Sequence, residues 1–330
     1  MSNRTATGTA RDEQAHPGER ISGWVEAGLY VFAIAVVSVL YAMANAMGSH
    51  VVVFILYSFL ISAVGMLTIT GLGSEPMRIM LAPQSWMVGF GTIVLEGSYC
   101  LMLLTISPAE GNLIVRLAIP MALLIGWLWF RRTPSLQTLA GAALVCAGVG
   151  ALAFTLDPAA QGLGVVYGLI AALMVSTRGF ATEFHPWNRA ARSVTEKMRV
   201  TGLVVLVTAK AGLVLAGVGA GLVEIGRLQR NDLVPGAADL LYLPTFLMAL
   251  LVGGAVFTAM NYLQFSSIVK IRTENFIATS AFMPLATLLV QTIAAGIGLI
   301  ELAAFDWRLL PGMLIVIVGV MVLIRAQSKR

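Results

Sequence analysis

TISPAEGNLIVRLAIPMALLIGWLWFRRTPSLQTLAGAALVCAGVG (105–150) decides the fold. It opens on Ser107-Pro108-Ala109-Glu110, where a Ser cap meets a carboxylate three residues on and Pro takes the first helical position. An apolar run then reaches Phe130, broken only by Asn112, Arg116 and Pro120. Arg131 and Arg132 stop it, and a second, Gly-rich apolar run follows over 135–156. Each run is long enough to cross roughly 30 Å of hydrocarbon, which takes about 20 helical residues. A charge such as Arg116 at that depth costs several kcal/mol unless it is paired or lines a wet cavity.

The rest of the 330-residue chain repeats this pattern. It is 58% hydrophobic and 11% charged, against about 25% charged in a typical soluble domain. Ten spans are predicted, near 24–46, 50–72, 84–106, 109–130, 135–156, 161–181, 198–222, 244–266, 273–298 and 309–326. The runs are continuous rather than alternating, which excludes a β-barrel. Trp24, Trp86, Trp127, Trp129 and Trp307 lie near span ends, as interface anchors do. Residues 1–22, polar and of mixed charge, read as a disordered cytoplasmic tail and not a signal peptide, which would need an apolar stretch followed by a cleavage site. The net charge of +5 does not point to nucleic acid, since the basic residues sit in scattered short loops. Cys100 and Cys146 fall inside apolar runs, and His16, His50 and His185 are too dispersed for a metal cluster. No catalytic constellation or phosphate-binding loop is visible, so neither enzyme nor cofactor is expected.

Orientation follows from the basic residues. With the N-terminus in the cytoplasm, the inside loops and C-tail hold Arg78, Arg131, Arg132, Arg189, Arg192, Lys197, Arg199, Lys270, Arg272, Arg325, Lys329 and Arg330. Outside loops hold only Arg227, Arg230 and Arg308. Both termini are therefore expected inside.

The deciding stretch also recurs. Glu110 and Pro120 return 164 residues later as Glu274 and Pro284, and Gly141 and Gly148 return 171 residues later as Gly312 and Gly319. Five spans per half force the second half to enter from the opposite side, which makes an inverted repeat. The basic pair Arg131–Arg132 after span four is answered by the acidic Glu301 and Asp306 after span nine. The fold class expected is thus an all-α polytopic membrane protein, ten transmembrane helices in two inverted five-helix repeats, 23–157 and 158–326, with a short tail over 327–330.

With its five-plus-five arrangement, the stretch 105–150 and the closing GMLIVIVGVMVLI (312–324), the chain resembles the EamA-type branch of the drug/metabolite transporter superfamily. The resemblance covers about 24–326. It departs before the last helix, where GLIELAAFDW replaces the family's short basic turn. What it implies is a central cavity that opens alternately to each side, and export or exchange of small metabolites such as amino acids.

Polar residues at depth are the site candidates. Glu96 and Arg116 lie eleven and nine residues from the turn at Ser107, roughly 14–16 Å below it, so a helical hairpin brings them to one level, either as a structural clip or as cavity lining. Thr92, Glu96 and Tyr99 share a face, as do Asn112, Arg116 and Pro120. Lys210 sits midway along span seven among Leu206, Val207, Leu213 and Val214; it is read as a second carboxylate holder, a partner for Glu96, or a snorkelling cation. Thr258, Asn261 and Gln264 make a polar stripe in span eight beside Tyr262. Glu110 and Glu274 are read as first-turn helix acids, and Glu26 and Arg178 as interface residues. The substrate-binding set is Glu96, Tyr99, Arg116, Lys210, Asn261, Tyr262 and Gln264.

The function read from these residues is a secondary-active or facilitative transporter in the inner membrane. It exports a small polar metabolite, an amino acid or related carboxylate. Its partners are that small-molecule substrate and the lipid bilayer; proton coupling and a homodimer stay open. A membrane sensor or scaffold is the competing class, although the longest cytoplasmic segment, 182–197, offers a partner little surface. An intramembrane enzyme is the other.

Overall fold

A computed structural model describes residues 17–154, 156, 158–301 and 307–328. The side chains of 17–20, 153, 158–161, 183, 268, 269, 272–275, 277, 278, 327 and 328 lie outside that description, so the helix-start reading of Glu274, the tail before Pro17 and Asp306 are not placed.

The described chain is helical throughout. Its elements are α1 (Pro17–Ala46), α2 (Val51–Thr70), α3 (Pro76–Leu81), α4 (Pro83–Met102), α5 (Pro108–Ile114), a 3-10 turn (Val115–Leu117), α6 (Ala118–Phe130), α7 (Leu136–Ala153) and α8 (Pro158–Glu183). After them come α9 (Pro186–Ala190), α10 (Val194–Glu224), α11 (Ala237–Leu240), α12 (Leu243–Ala249), a π segment (Leu250–Phe257), α13 (Thr258–Ser280), α14 (Met283–Gly296) and α15 (Leu309–Ser328). Among the described residues seven stretches are long and apolar enough to cross a membrane: Ile21–Ala46, Val51–Thr70, Pro108–Phe130, Gly162–Thr182, Val194–Glu224, Leu243–Ser267 and Leu309–Ala326. Leu136–Leu152 and Met283–Gly296 are apolar but shorter. The 20-residue α4 carries Gln84, Ser85, Thr92, Glu96 and Ser98 among its apolar residues.

Helix starts follow the sequence signals. Ser107 and Glu110 form the capping box: the Ser107 N–H donates to Glu110 Oε2 at 2.7 Å, and Ser107 Oγ accepts from the Glu110 N–H at 3.4 Å. Ser193 and Glu196 do the same for α10. The helix of the first span starts at Pro17, several residues before the limit drawn at 24.

Glycines set the closest approaches, as lipid-embedded helices need. Along α7 and α15, which pack antiparallel, a Cβ on Gly141 would fall 2.7 Å from Gly319 O and one on Gly148 2.7 Å from Gly312 O. A Cβ on Gly253 would fall 2.1 Å from Ser58 O; this approach of α2 lies inside the π segment, where the helix is locally widened. Gly89 of α4 meets Thr208 of α10, Gly23 of α1 meets Lys270 and Ile271, and Gly164 of α8 meets Thr105 and Ile106. Tyr41, fully buried, gathers Phe54, Tyr99 and Phe257 around it and so joins α1, α2, α4 and the π segment.

The spans expected over 244–266 and 273–298 both enter α13. Phe257 lies by Tyr41, with ring centroids 6.3 Å apart. Ser267 Oγ donates to Gly23 O at 2.9 Å, Lys270 pairs with Glu26, and Phe276 packs on Tyr30 with centroids 4.9 Å apart. From 257 to 267 the chain moves down α1 from Tyr41 to Gly23; from 267 to 276 it climbs again to Tyr30. It therefore doubles back near Ser267–Ile271, in the gap expected between 266 and 273.

One buried histidine ties the ends of this bundle. His185 Nδ1 accepts from the Asn188 N–H at 3.4 Å, which places the ring proton on Nε2, 2.9 Å from Ser85 Oγ; Ser85 in turn donates to Ile79 O at 2.5 Å. Burial pushes the His185 pKa below its ordinary 6.5. The unfolded chain then binds this proton more readily, so the contribution is present above pH 6.5 and fades as pH falls through it. Melting temperature measured across about pH 5 to 7 should drop more steeply on the acid side for the wild type than for His185→Gln.

Candidate functional site

The described polar residues at depth collect where α1, α4, α5 and α14 meet. Ser38 Oγ accepts from Tyr99 Oη and from Asn112 Nδ2, both at 2.9 Å, and donates to Ile34 O at 2.9 Å. The second Asn112 N–H reaches Thr287 Oγ1 at 2.9 Å, and Thr287 donates to Met283 O at 2.8 Å. Every donor in this chain of bonds has an acceptor, and Tyr99 Oη also lies 3.4 Å from Pro108 O, so the donors are satisfied. At the α5 end, Gln291 Oε1 accepts the Ala109 N–H at 3.0 Å. Glu96 lies beside the network, half-buried, with Oε2 accepting from Tyr41 Oη at 2.9 Å.

Arg116 does not form an ion pair with Glu96. Its Nε donates to Asn112 O at 3.2 Å, Nη1 to Ser280 O at 3.1 Å, and Nη2 lies 3.4 Å from Met283 Sδ. The Ser280 contact has a specific cause. Pro284 stands four residues after Ser280, so the N–H that would bond this carbonyl in a helix is absent. The helix breaks at 281–282, and Arg116 supplies the missing donor from α5–α6. Pro120 stands in the same relation to Arg116 itself, and there the chain tightens into the 3-10 turn Val115–Leu117. Arg116 is thus the mid-membrane cap of a broken helix, a role its position alone did not reveal.

Arg178 of α8 is half-buried. Its side chain leaves α8 past Gly91 of α4, where a Cβ would sit 3.7 Å from Arg178 Cβ. The sequence placed Arg178 at the interface, five residues from the helix end, and nothing in its neighbourhood shows that it turns inward. Tyr30, 8% exposed, packs on Phe276. Glu26, also placed at the interface, pairs with Lys270.

The remaining candidates lie elsewhere. Lys210 is exposed on α10 and forms no salt bridge with Glu96 or any other described acid. Tyr262 is 50% exposed. Asn261 Nδ2 donates to Phe257 O of its own helix at 2.8 Å, and Gln264 is half-buried. Glu96, Tyr99 and Arg116 are therefore linked through Tyr41, Ser38 and Asn112, with Thr287 beside them. Ser38 and Tyr30 had a sequence signal, being polar groups inside the first apolar run. Among the described residues no group of His, Cys, Asp and Glu is placed to hold a metal ion.

No protein-family model matches the chain, and no curated protein matches it. A solved crystal structure is similar over 92% of this chain and 97% of its own, with a TM-score of 0.58 and 16% sequence identity. At that identity the likeness is one of fold alone: the helical arrangement is one that another protein adopts along nearly its whole length.

Proposed function

We propose that the chain is a secondary transporter, secondary-active or facilitative, that exports a small polar metabolite by alternating access between two inverted five-helix repeats. The observation that carries this reading is the polar network of Ser38, Tyr99, Asn112 and Thr287, with Glu96 and Arg116 beside it, where segments from both halves of the chain meet. Charged groups at this depth favour a wet path over a lipid-facing role. The packing favours the repeat. Number the segments so that α1, α2, α4, α5–α6 and α7 precede α8, α10, the leg ending at Ser267, the leg through α14, and α15. Exchanging first half for second then maps α1 on α13 to α8 on α4, α1 on α14 to α8 on α6, and α2 on the π segment to α10 on α4, while α2 on α10 and α7 on α15 map to themselves. The glycines follow: Gly89 against α10 answers Gly253 against α2, again 164 residues apart.

The purified protein in liposomes should show saturable counterflow of a labelled amino acid or carboxylate, and Glu96→Gln should reduce it while the protein stays folded. A folded, reconstituted chain that moves no solute across such a panel would favour the sensor or scaffold class. For orientation, single cysteines at 131–134 and 182–197 should label from the cytoplasm and one at 304 from outside. Cytoplasmic labelling at 304 would remove the inverted repeat.

A further inference from the structure

We propose that Glu26 and Lys270 form an ionic latch that holds one end of the bundle shut, and that the opposite end closes without one. The inference rests on the alternating-access reading above. Two matching places carry it. At the end where α1 starts, α1 lies on the stretch of α13 that doubles back: a Cβ on Gly23 would fall 2.5 Å from Ile271 Cγ2 and 2.8 Å from Lys270 Cβ. At the end where α8 starts, α8 lies on the turn after α4: a Cβ on Gly164 would fall 2.7 Å from Thr105 Oγ1 and 3.2 Å from Ile106 Cγ2. The segments α1, α2, α4, α5–α6 and α7 run to and fro between these two starts, so the ends are opposite. Each glycine therefore receives an isoleucine from the other half-bundle, as a pseudo-twofold requires.

The polar contacts around the two isoleucines differ. Beside Ile271, Ser267 Oγ donates to Gly23 O at 2.9 Å, and Lys270 pairs with Glu26, one turn along α1 from Gly23. The two side chains are only 16% and 28% exposed, so the pair is mostly out of water. Beside Ile106, Thr105 stands where Lys270 stands, and its hydroxyl donates to Met102 O of its own turn at 3.0 Å. Tyr167, three residues after Gly164, takes the place of Glu26 and brings no charge. Among the described residues, then, one end is clasped by a charge pair and a hydrogen bond between chain-distant segments, and the other rests on packing. Glu26 Oε2 shows why the clasp can release. It is buried and has no hydrogen-bond partner among the described residues. A carboxylate oxygen kept from water without a partner costs free energy, and that cost is relieved when α1 and α13 part and water reaches it. The closed end keeps the pair and the open end regains hydration, which leaves the two arrangements close in free energy.

Ile271 and Ile106 report the two ends, since both are buried, at 3% and 7% exposure. The test uses the full chain in nanodiscs with Cys100→Ser and Cys146→Ala, and adds Ile271→Cys or Ile106→Cys as the single site for a charged maleimide. Glu26→Gln should raise the labelling rate at 271 by about fivefold or more, as loss of a partly buried ion pair does to a two-state balance. It should lower the rate at 106, because opening one end closes the other. Glu26→Lys combined with Lys270→Glu should bring both rates back towards the starting values. Lys270→Gln gives the same reading where Glu26→Gln folds badly. Faster labelling at both sites would mean that the pair merely stiffens the bundle. Unchanged rates would mean that it latches nothing, and a reversed pair that restores nothing would mean that the effect is not ionic; each result overturns the inference. Counterflow separates it from the transport reading. Solute flux in a chain whose labelling ignores Glu26→Gln removes the latch and leaves transport standing. Opposed shifts at the two sites, in a chain that moves no solute, uphold the latch and remove transport.

Discussion

Arg116→Met will melt well below the wild type, and Pro284→Ala added to it will restore most of the loss. The reasoning starts from one carbonyl. Pro284 cannot donate to Ser280 O, and Arg116 Nη1 does so from another helix at 3.1 Å. Removing the guanidinium takes away the donor that stands in for the missing proline N–H, a cost of about 1–3 kcal/mol where the carbonyl is buried. The Asn112 O contact is lost as well. Pro284→Ala supplies an N–H at the position that a regular helix uses, so the second substitution repairs what the first exposed. On its own it should cost little more than the entropy proline removes from the unfolded chain, about 0.4–1 kcal/mol. A four-member cycle of melting temperatures should therefore show a favourable coupling of about 1–2 kcal/mol. Additive effects, within roughly 0.5 kcal/mol, would mean that Arg116 does not act as the cap and would return it to the list of candidate substrate contacts. Arg116→Lys should fall between: a compact ammonium can reach one carbonyl but not span Asn112, Ser280 and Met283 together.

This site shows what a one-dimensional reading can and cannot supply. Arg116 was visible as a buried cation because charge in an apolar run is rare and expensive. Its partner was not, because the partner is a backbone carbonyl 164 residues away whose availability depends on a proline. The expected pair with Glu96 came from depth alone, and depth says nothing about azimuth. Glu96 faces Tyr41 of α1, while Arg116 faces Ser280 and Met283. Lys210 failed to join them for the same reason: its depth was legible and the side of α10 it occupies was not. Arg178 was missed in the opposite sense. Its sequence position near a helix end fits interface placement, and its packing against α4 at Gly91 is a contact between chain-distant residues. Helix starts, by contrast, were legible at Ser107–Glu110 because capping is local chemistry, settled within four residues. The recurrence of Gly141 and Gly148 as Gly312 and Gly319 was legible too, and the structure gives it a physical meaning that spacing could not: the four glycines face one another crosswise.

That crossing yields the other large effect. Leucine at Gly148 or at Gly312 should cost several times more than leucine at Gly150, although all three lie in apolar helices. A Cβ on Gly148 lies 2.7 Å from Gly312 O, and one on Gly312 lies 2.9 Å from Gly148 O, so backbone meets backbone and no side chain can swing aside. Gly150, two residues along, has nothing within 4 Å of its Cβ position. Overpacking a filled core costs about 1–3 kcal/mol per site, and here the rigid helices α7 and α15 must separate along their shared length to relieve it. The two helices are chain-distant, so the loss also removes a contact that holds the second half of the chain to the first. The crosswise arrangement adds a quantitative expectation. Gly141 faces Gly319 as Gly148 faces Gly312, so leucine at Gly141 should lower the melting temperature about as much as leucine at Gly148, and leucine at both should lose less than twice as much once the helices are already apart. Thermal unfolding of the five purified variants in one detergent decides it. A Gly148 variant as stable as the Gly150 variant would mean that α7 and α15 do not pack through these glycines, and the strongest structural support for a pseudo-twofold pairing of the two halves would go with it.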